Sequence, residues 1–198
     1  MTTTPLPPHY QKAFSVDLQK DKKLFLLVNG LCLVIAAFLF GVGAAMHPLT
    51  AFLQFMKQSA REGLYLQYFA PLLLIGLGSF AYIILHEMIH GIFMYAFSRV
   101  KPKFGFTGAY AYAGSEVYFG KTPYLIIALA PVVIWGIVLA VLCTVVPEHW
   151  FWPPYFIQLV NLSGAAGDLY VTWRFCSLPK DILVQDLGVS MTVFQRSQ

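Results

Sequence analysis

Residues 74–90 of the chain read LIGLGSFAYIILHEMIH, an apolar stretch that ends in two histidines and a glutamate. The stretch belongs to a longer apolar run over residues 64–97, which exceeds the roughly 20 residues that a helix needs to cross a bilayer core. Burying a charged side chain in such a span costs about 2.5–3.5 kcal/mol. Three ionisable groups so close together therefore indicate function rather than packing. The alternative is that the histidines bond to neighbouring helices and that Glu87 extends to the membrane surface.

The motif His86-Glu87-x-x-His90 has the spacing of a zinc site on a helix. Residues four apart lie on one helical face about one turn apart, so both imidazoles can reach one Zn²⁺. Glu87 lies about 100° around the helix from His86 and can reach a zinc-bound water without ligating the metal. Zinc lowers the pKa of that water to about 7, and a carboxylate can then accept its proton. The motif therefore predicts a hydrolytic zinc site with Glu87 as the general base.

The composition of the 198-residue chain is that of a membrane protein. Hydrophobic residues make up 58% and charged residues 11%, whereas soluble domains have about 45–50% apolar and about 25% charged residues. This balance excludes a soluble globular domain, a disordered chain and a nucleic-acid-binding module. The three cysteines, Cys32, Cys143 and Cys176, lie far apart in apolar runs. They predict neither a disulfide nor a metal role.

Four apolar runs are long enough to span a bilayer, so we treat residues 1–198 as a single membrane domain. The runs cover residues 24–46, 64–97, 122–146 and 151–178, between a polar arm at 1–23 and a tail at 179–198. With the N-terminus inside, the outer loops cover about residues 47–63 and 147–154, and all but two of the 13 lysines and arginines fall in cytoplasmic segments; the exceptions are Lys57 and Arg61. The positive-inside rule therefore predicts a multi-pass protein of the cell membrane with both termini cytoplasmic.

Short polar segments between and after the spans have the alternation of strands. Residues 14–19 and 189–193 alternate apolar with polar side chains, and aromatic residues alternate within 103–121 around the turn Thr107-Gly108. A small cytoplasmic sheet is one interpretation, and interfacial loops whose aromatic rings rest on lipid headgroups are the other. We expect the segment 104–119 to offer an edge strand to an extended substrate.

A catalytic zinc site needs a third protein ligand and an open fourth position. Asp168 is the only carboxylate in another predicted span, whereas His9, His47 and His149 lie outside the spans and Glu116 lies in the inner loop. Asp168 is therefore the candidate ligand. The alternative is a polar contact between helices or a helix cap.

Asn161 precedes Asp168 by seven residues and shares its helical face, beside two small residues, Gly164 and Gly167, that allow close helix approach. Asp168 lies roughly 9 Å before the predicted inner end of its span, and His90 lies roughly 13 Å before the end of its own, so the two depths agree within a turn. Asn161 is a candidate catalytic residue that donates to a substrate carbonyl or oxyanion. Equally, it is a candidate for an interhelical hydrogen bond.

The order of these motifs resembles that of a known group of enzymes. His86-Glu87-x-x-His90, a following span with Pro131, and then Asn161 and Asp168 resemble the three-span core of site-2 protease-type intramembrane zinc metalloproteases. The segment KPKFGF at 101–106, Ala130-Pro131 and Asn161-x-x-Gly164-x-x-Gly167-Asp168 more closely resemble a bacterial family of small zincin-type membrane peptidases. The likeness covers about residues 10–194. One departure is that Leu169 follows Asp168, where site-2 proteases usually have Leu-Asp-Gly.

The resemblance implies a zinc ion held by His86, His90 and Asp168, with Glu87 as the base and a transmembrane segment or membrane-bound peptide as the substrate. We therefore expect an all-α polytopic membrane protein with four transmembrane helices, a three-helix zincin core and a small cytoplasmic strand region. The expected activity is intramembrane proteolysis near the cytoplasmic face. The alternatives are a membrane zinc hydrolase acting on a lipid or another amide, a non-enzymatic scaffold, and a zinc transporter.

Overall fold

A computed structural model describes residues 2–17, 20–108 and 110–197 of the chain. Within these ranges the protein is mostly helical, with six α-helices, a five-stranded sheet and a two-stranded sheet. The helices are α1 (Lys22–Met46), α2 (Leu49–Arg61), α3 (Tyr65–Ser98), α4 (Lys121–Val145), α5 (Trp152–Gly164) and α6 (Ala166–Cys176). The strands are β1 (Thr2–Thr3), β2 (Tyr10–Asp17), β3 (Lys103–Phe106), β4 (Ala111–Gly114), β5 (Tyr118–Gly120), β6 (Leu183–Asp186) and β7 (Ser190–Arg196).

Three helices of the described chain are long and apolar enough to cross a membrane. They are α1, α3 and α4, with 25, 34 and 25 residues. Their ends fall within two residues of the first three predicted runs. Three candidate spans therefore support the prediction of a membrane protein, and the apolar runs in the sequence predict where each of them begins and ends.

The fourth predicted span, residues 151–178, is divided into α5 and α6. These helices have 13 and 11 residues, and each is too short to cross a bilayer core alone. Ala165, between them, has a ψ of 15°, which departs from helical geometry. Four spans are therefore not confirmed, and the expectation of an all-α protein is replaced by a mostly helical one with sheets.

The chain divides into two compact units by its contacts. The first unit comprises Met1–Asn29, Ile84–Pro131 and Gly167–Gln198, and the second comprises Gly30–Ile83 and Val132–Ala166. In the second unit, α2 occupies a segment that the sequence interpretation assigned to an outer loop. Its residues Phe52 and Met56 are buried, and they pack with Trp152 in a small aromatic core.

The larger sheet belongs to the first unit and has the strand order β1-β5-β6-β7-β2, antiparallel throughout. Strands β2 and β7 confirm the predicted alternation at 14–17 and 190–193, whereas residues 18 and 19 lie outside the described ranges. One face of the sheet packs against helices through side chains with no exposed area, including Val184, Val193 and Phe175. This apolar contact fixes the sheet against α6, the helix that carries Asp168.

The smaller sheet is the hairpin β3–β4, which turns at Gly108 with a φ of +88°. The Thr107 N–H donates to the Tyr110 carbonyl at 3.0 Å, so even-numbered residues of β4 pair with β3 and odd-numbered residues face away from it. The hairpin lies close to α3, because a Cβ at Gly91 would overlap the ring of Phe104. Glycine at this position, one residue after His90, therefore allows β3 to contact the helix that bears the predicted zinc ligands.

Candidate metal centre

Helix α3 supplies two of the predicted ligands from consecutive turns. The Nε2 atoms of His86 and His90 lie 3.1 Å apart, so both rings direct the same nitrogen to one place. Each residue is only 8% exposed. The i, i+4 spacing predicted from the sequence therefore produces a convergent pair of imidazoles.

Asp168, in the first turn of α6, completes the cluster. Its Oδ2 lies 3.4 Å from His86 Nε2, and its Oδ1 lies 3.6 Å from His90 Nε2. The candidate donor atoms of all three residues lie within 4.8 Å of one another, and no other such group of three occurs among the described residues. The structure thus brings together the three residues that the sequence singled out as metal ligands.

The spacing of the donor atoms fits a zinc ion. Ligand atoms around a tetrahedral Zn²⁺ with bonds of about 2.0–2.1 Å lie about 3.3–3.4 Å apart. The ring nitrogens lie 3.1 Å apart, and each has a carboxylate oxygen at a similar distance, Oδ2 at 3.4 Å from His86 and Oδ1 at 3.6 Å from His90, so these separations are close to that value. Two imidazoles and one carboxylate also leave the fourth position open, as catalytic zinc sites require.

A main-chain carbonyl of α4 orients one of the imidazoles. His90 Nδ1 lies 2.9 Å from the carbonyl oxygen of Ile127. A carbonyl can only accept, so Nδ1 carries the hydrogen, and in the neutral ring Nε2 then presents its lone pair to the metal position. Sequence reasoning missed Ile127, because every residue has a carbonyl and side-chain identity does not reveal it.

Glu87 lines a cavity of about 120 Å³ that also reaches His90 and Asp168. The backbone N–H of Ala113, in β4, is a hydrogen-bond neighbour of its carboxylate. Glu87 is absent from the three-residue donor cluster. Its position beside the ligands therefore matches that of a group that acts on a bound water.

Two further residues of the same cavity, Tyr124 and Asp186, were not found from the sequence. The Tyr124 hydroxyl donates to Asp186 Oδ2 at 2.5 Å, and the Gly188 N–H donates to Oδ1 at 2.8 Å. Burial raises the pKa of the Asp186 carboxyl, although these two hydrogen bonds act in the opposite direction. Asp186 lies outside the predicted spans, and sequence reasoning looked for buried carboxylates only within them.

Asn161, the other predicted catalytic residue, is fully buried in the second unit. Its Oδ1 accepts from the Tyr82 hydroxyl at 2.9 Å, and its Nδ2 lies 3.3 Å from both the Val132 carbonyl and Gln158 Oε1. The contacts with Tyr82 of α3 and Val132 of α4 are interhelical hydrogen bonds, as the alternative interpretation describes, whereas Gln158 lies in the same helix as Asn161. A catalytic role for Asn161 stays a prediction.

Glu116, the loop carboxylate considered as a ligand, lies elsewhere. Its Oε1 accepts from Lys103 Nζ at 2.6 Å in an exposed ion pair. This pairing lowers the pKa of Glu116 and raises the pKa of Lys103. The remaining histidines, His9, His47 and His149, also lie outside the donor cluster found in the described chain.

Comparison with known families places the chain in a recognised group. Residues 79–183 match the model of a family described as “Putative zincin peptidase”. The chain belongs to this family. The matched region covers more than half of the 198 residues and includes His86, Glu87, His90 and Asp168. The curated proteins gave no significant match, and the solved structures gave none either.

Proposed function

We propose that this chain is a zinc-dependent membrane peptidase that hydrolyses peptide bonds in or next to membrane segments, near the cytoplasmic face. His86, His90 and Asp168 hold the metal, and Glu87 is the general base. The supporting observation is the convergence of two imidazole nitrogens and a carboxylate, with Glu87 in the wall of the adjoining cavity. The substrate is a transmembrane segment or a short membrane-bound peptide.

The reaction divides between the metal and the side chains around it. When bound, zinc polarises a substrate carbonyl and lowers the pKa of a water molecule to about 7. Glu87 accepts the proton that the attacking water loses as its oxygen bonds to the carbonyl carbon. Glu87 then delivers this proton to the nitrogen of the scissile bond. The nitrogen leaves as an amine, and the carbonyl carbon becomes part of a carboxylic acid.

Strand β4 supports binding of the substrate in an extended form. Ala111 and Ala113 are odd-numbered residues of this strand, so their N–H groups face away from β3, and both residues line the cavity with Glu87. A helical membrane segment must be unwound before its peptide bonds become accessible. Pairing with the cavity side of β4 at Ala111 supplies hydrogen-bond partners for the unwound chain, while the Ala113 N–H holds the Glu87 carboxylate beside the reaction site.

The cytoplasmic position of the reaction rests on the charge distribution. Lys57 and Arg61 lie in or at the end of α2, whereas the other lysines and arginines lie in segments on the opposite side of the predicted spans. His90 precedes the end of α3 at Ser98 by eight residues, roughly 12 Å along the helix. With the positive-inside orientation, this end is the cytoplasmic one.

Glu87→Gln tests the proposal in protein reconstituted in zinc-loaded lipid vesicles, with labelled peptides that each carry one apolar membrane segment. We expect the variant to retain zinc and to lose cleavage by about 10²–10⁴-fold, because an amide cannot accept the proton. Glu116→Gln is the matched control, since it neutralises an exposed carboxylate away from the cluster. Near-normal cleavage by Glu87→Gln contradicts the assignment of the base.

The same reconstituted protein distinguishes peptide hydrolysis from lipid or amide hydrolysis. Wild-type protein is incubated with parallel panels of membrane peptides, phospholipids and N-acyl amides, and products are identified by mass spectrometry. We expect zinc-dependent cleavage in the peptide panel. Turnover confined to the lipid or amide panel would replace the peptidase with the alternative hydrolase.

A further inference from the structure

The carbonyl that orients His90 is available because of a proline. In a regular α-helix, the carbonyl of residue 127 accepts the N–H of residue 131, four positions later. Residue 131 of α4 is Pro131, which lies inside the helix and has no N–H. The Ile127 oxygen therefore lacks its intrahelical donor, and the Nδ1–H of His90 lies 2.9 Å from it.

We infer that Pro131 is a positioning residue of the metal centre: it withholds a helical N–H so that the Ile127 carbonyl is free to orient His90. The inference rests on the proposed role of His90 as a ligand. A proline in a helix interior destabilises the helix relative to alanine. In α4 this destabilising proline leaves the Ile127 carbonyl available to a partner from another helix, His90 of α3.

The hydrogen bond controls which nitrogen of His90 carries the proton. In the neutral ring with Nδ1–H bonded to a carbonyl, Nε2 has the lone pair, and Nε2 is the atom that lies 3.1 Å from His86 Nε2 and 3.6 Å from Asp168 Oδ1. The other tautomer would place a hydrogen at the metal position. Partners that hold a ligating histidine in this way typically contribute 10–100-fold to metal affinity.

Pro131→Ala is the test, because it restores the missing N–H without adding side-chain bulk. The new N–H competes with His90 for the Ile127 carbonyl. Two effects of opposite sign follow: the zinc-free protein gains thermal stability from the better helix former, and zinc affinity falls by about tenfold. A proline that served only to shape the helix would change the thermal stability without changing the tautomer of His90.

Pro71 provides a matched control within the same chain. It also lies inside an apolar helix, α3, and it belongs to the other compact unit. Pro71→Ala restores an N–H in a span without supplying one near Ile127. We expect it to leave zinc affinity and the tautomer of His90 at the wild-type values.

The measurements are zinc affinity by competition with a calibrated chelator and the His90 tautomer by ¹⁵N NMR of the zinc-free protein in lipid, at a pH at which the His90 ring is neutral. We expect weaker zinc binding and a mixed Nδ1–H and Nε2–H population in Pro131→Ala alone. Unchanged affinity and an unchanged tautomer in Pro131→Ala, or equal changes in Pro71→Ala, would overturn the inference. The tautomer is measured without zinc or substrate, so it tests the role of Pro131 alone. Absence of zinc binding by the wild type would instead refute the proposed function.

Discussion

Replacement of Asp168 by alanine is the most direct perturbation of the proposed centre. Asp168 is the only proposed ligand that does not come from α3, and its two oxygens lie 3.4 and 3.6 Å from the imidazole nitrogens. Without the carboxylate, the centre retains two neutral ligands from one helix. We expect the Asp168→Ala protein to fold but to bind zinc much more weakly than the wild type.

The size of the effect follows from the number of ligands. Zinc sites with four protein ligands have apparent binding free energies of about 10–16 kcal/mol, which is about 2.5–4 kcal/mol for each ligand. Loss of one ligand from three therefore weakens zinc binding by about 10²–10³-fold. Asp168→Asn keeps the shape but removes the charge, so its affinity should lie between those of the alanine variant and the wild type.

The assay is zinc content of purified protein after equilibration with a series of buffered free-zinc concentrations. Asn161→Ala is the control, since it changes another buried polar residue of the region predicted as the fourth span. The hydrogen bonds of Asn161 involve Tyr82, Val132 and Gln158 rather than a ligand. We expect the zinc affinity of Asn161→Ala to equal that of the wild type.

An unchanged zinc affinity in Asp168→Ala would refute the reasoning from donor geometry. The third ligand would then have to come from outside the cluster. Glu116→Ala, which removes the loop carboxylate, would test that possibility directly. Loss of zinc from Glu116→Ala, with retention in Asp168→Ala, would reject the centre as described.

Three further predictions concern the surroundings of the centre. Ala113→Pro removes an N–H that faces the cavity from β4 and should reduce peptide cleavage by about tenfold at unchanged zinc content. Phe106→Pro, in β3, should leave peptide cleavage unchanged. Gly91→Ala should lower the unfolding free energy by about 1–3 kcal/mol in denaturant titrations, because its Cβ would overlap an aromatic ring of β3, whereas Gly76→Ala has open space and should stabilise α3. Burial raises the pKa of Asp186, so ionisation of this carboxyl destabilises the folded protein as pH rises above about 3.9, the pKa of an unfolded Asp. The melting temperature of Asp186→Asn should therefore exceed that of the wild type at pH 7, and this difference should shrink as pH falls towards 3.

The three apolar spans and the convergence of His86 with His90 were predictable because they depend on local sequence. An apolar run and a helical period place α3 and align His86 with His90, whatever the rest of the chain does. Asp168 could also be identified from the sequence, since few carboxylates lie in apolar runs. The division of residues 151–178 into two helices was harder to predict from the sequence, because small residues such as Gly164 are common within membrane helices as well as at their ends.

The features that remained hidden depend on long-range pairing or on the main chain. The order of the five strands joins residues from both termini, as in the pairing of Tyr10 with Arg196, and no local pattern encodes that register. Tyr124 and Asp186 are 62 positions apart and become partners only in the fold. The period-3.6 pattern of Phe52 and Met56 was a usable signal for α2, but the whole segment was assigned to a loop by its position between spans.

The contrast between two buried polar clusters separates a structural role from a ligand-binding one. Around Asn161, the oxygen accepts one hydroxyl and the amide nitrogen has two acceptors, so donors and acceptors balance. At His86, His90 and Asp168, the atoms that converge are two ring nitrogens and a carboxylate, all capable of accepting. A proton can bridge the nitrogen pair, but a divalent cation bonds to the lone pairs of all three residues and offsets the carboxylate charge at once. In an apolar span that imbalance is costly unless a cation is present, and it is therefore the physical reason to regard the second cluster as a metal centre.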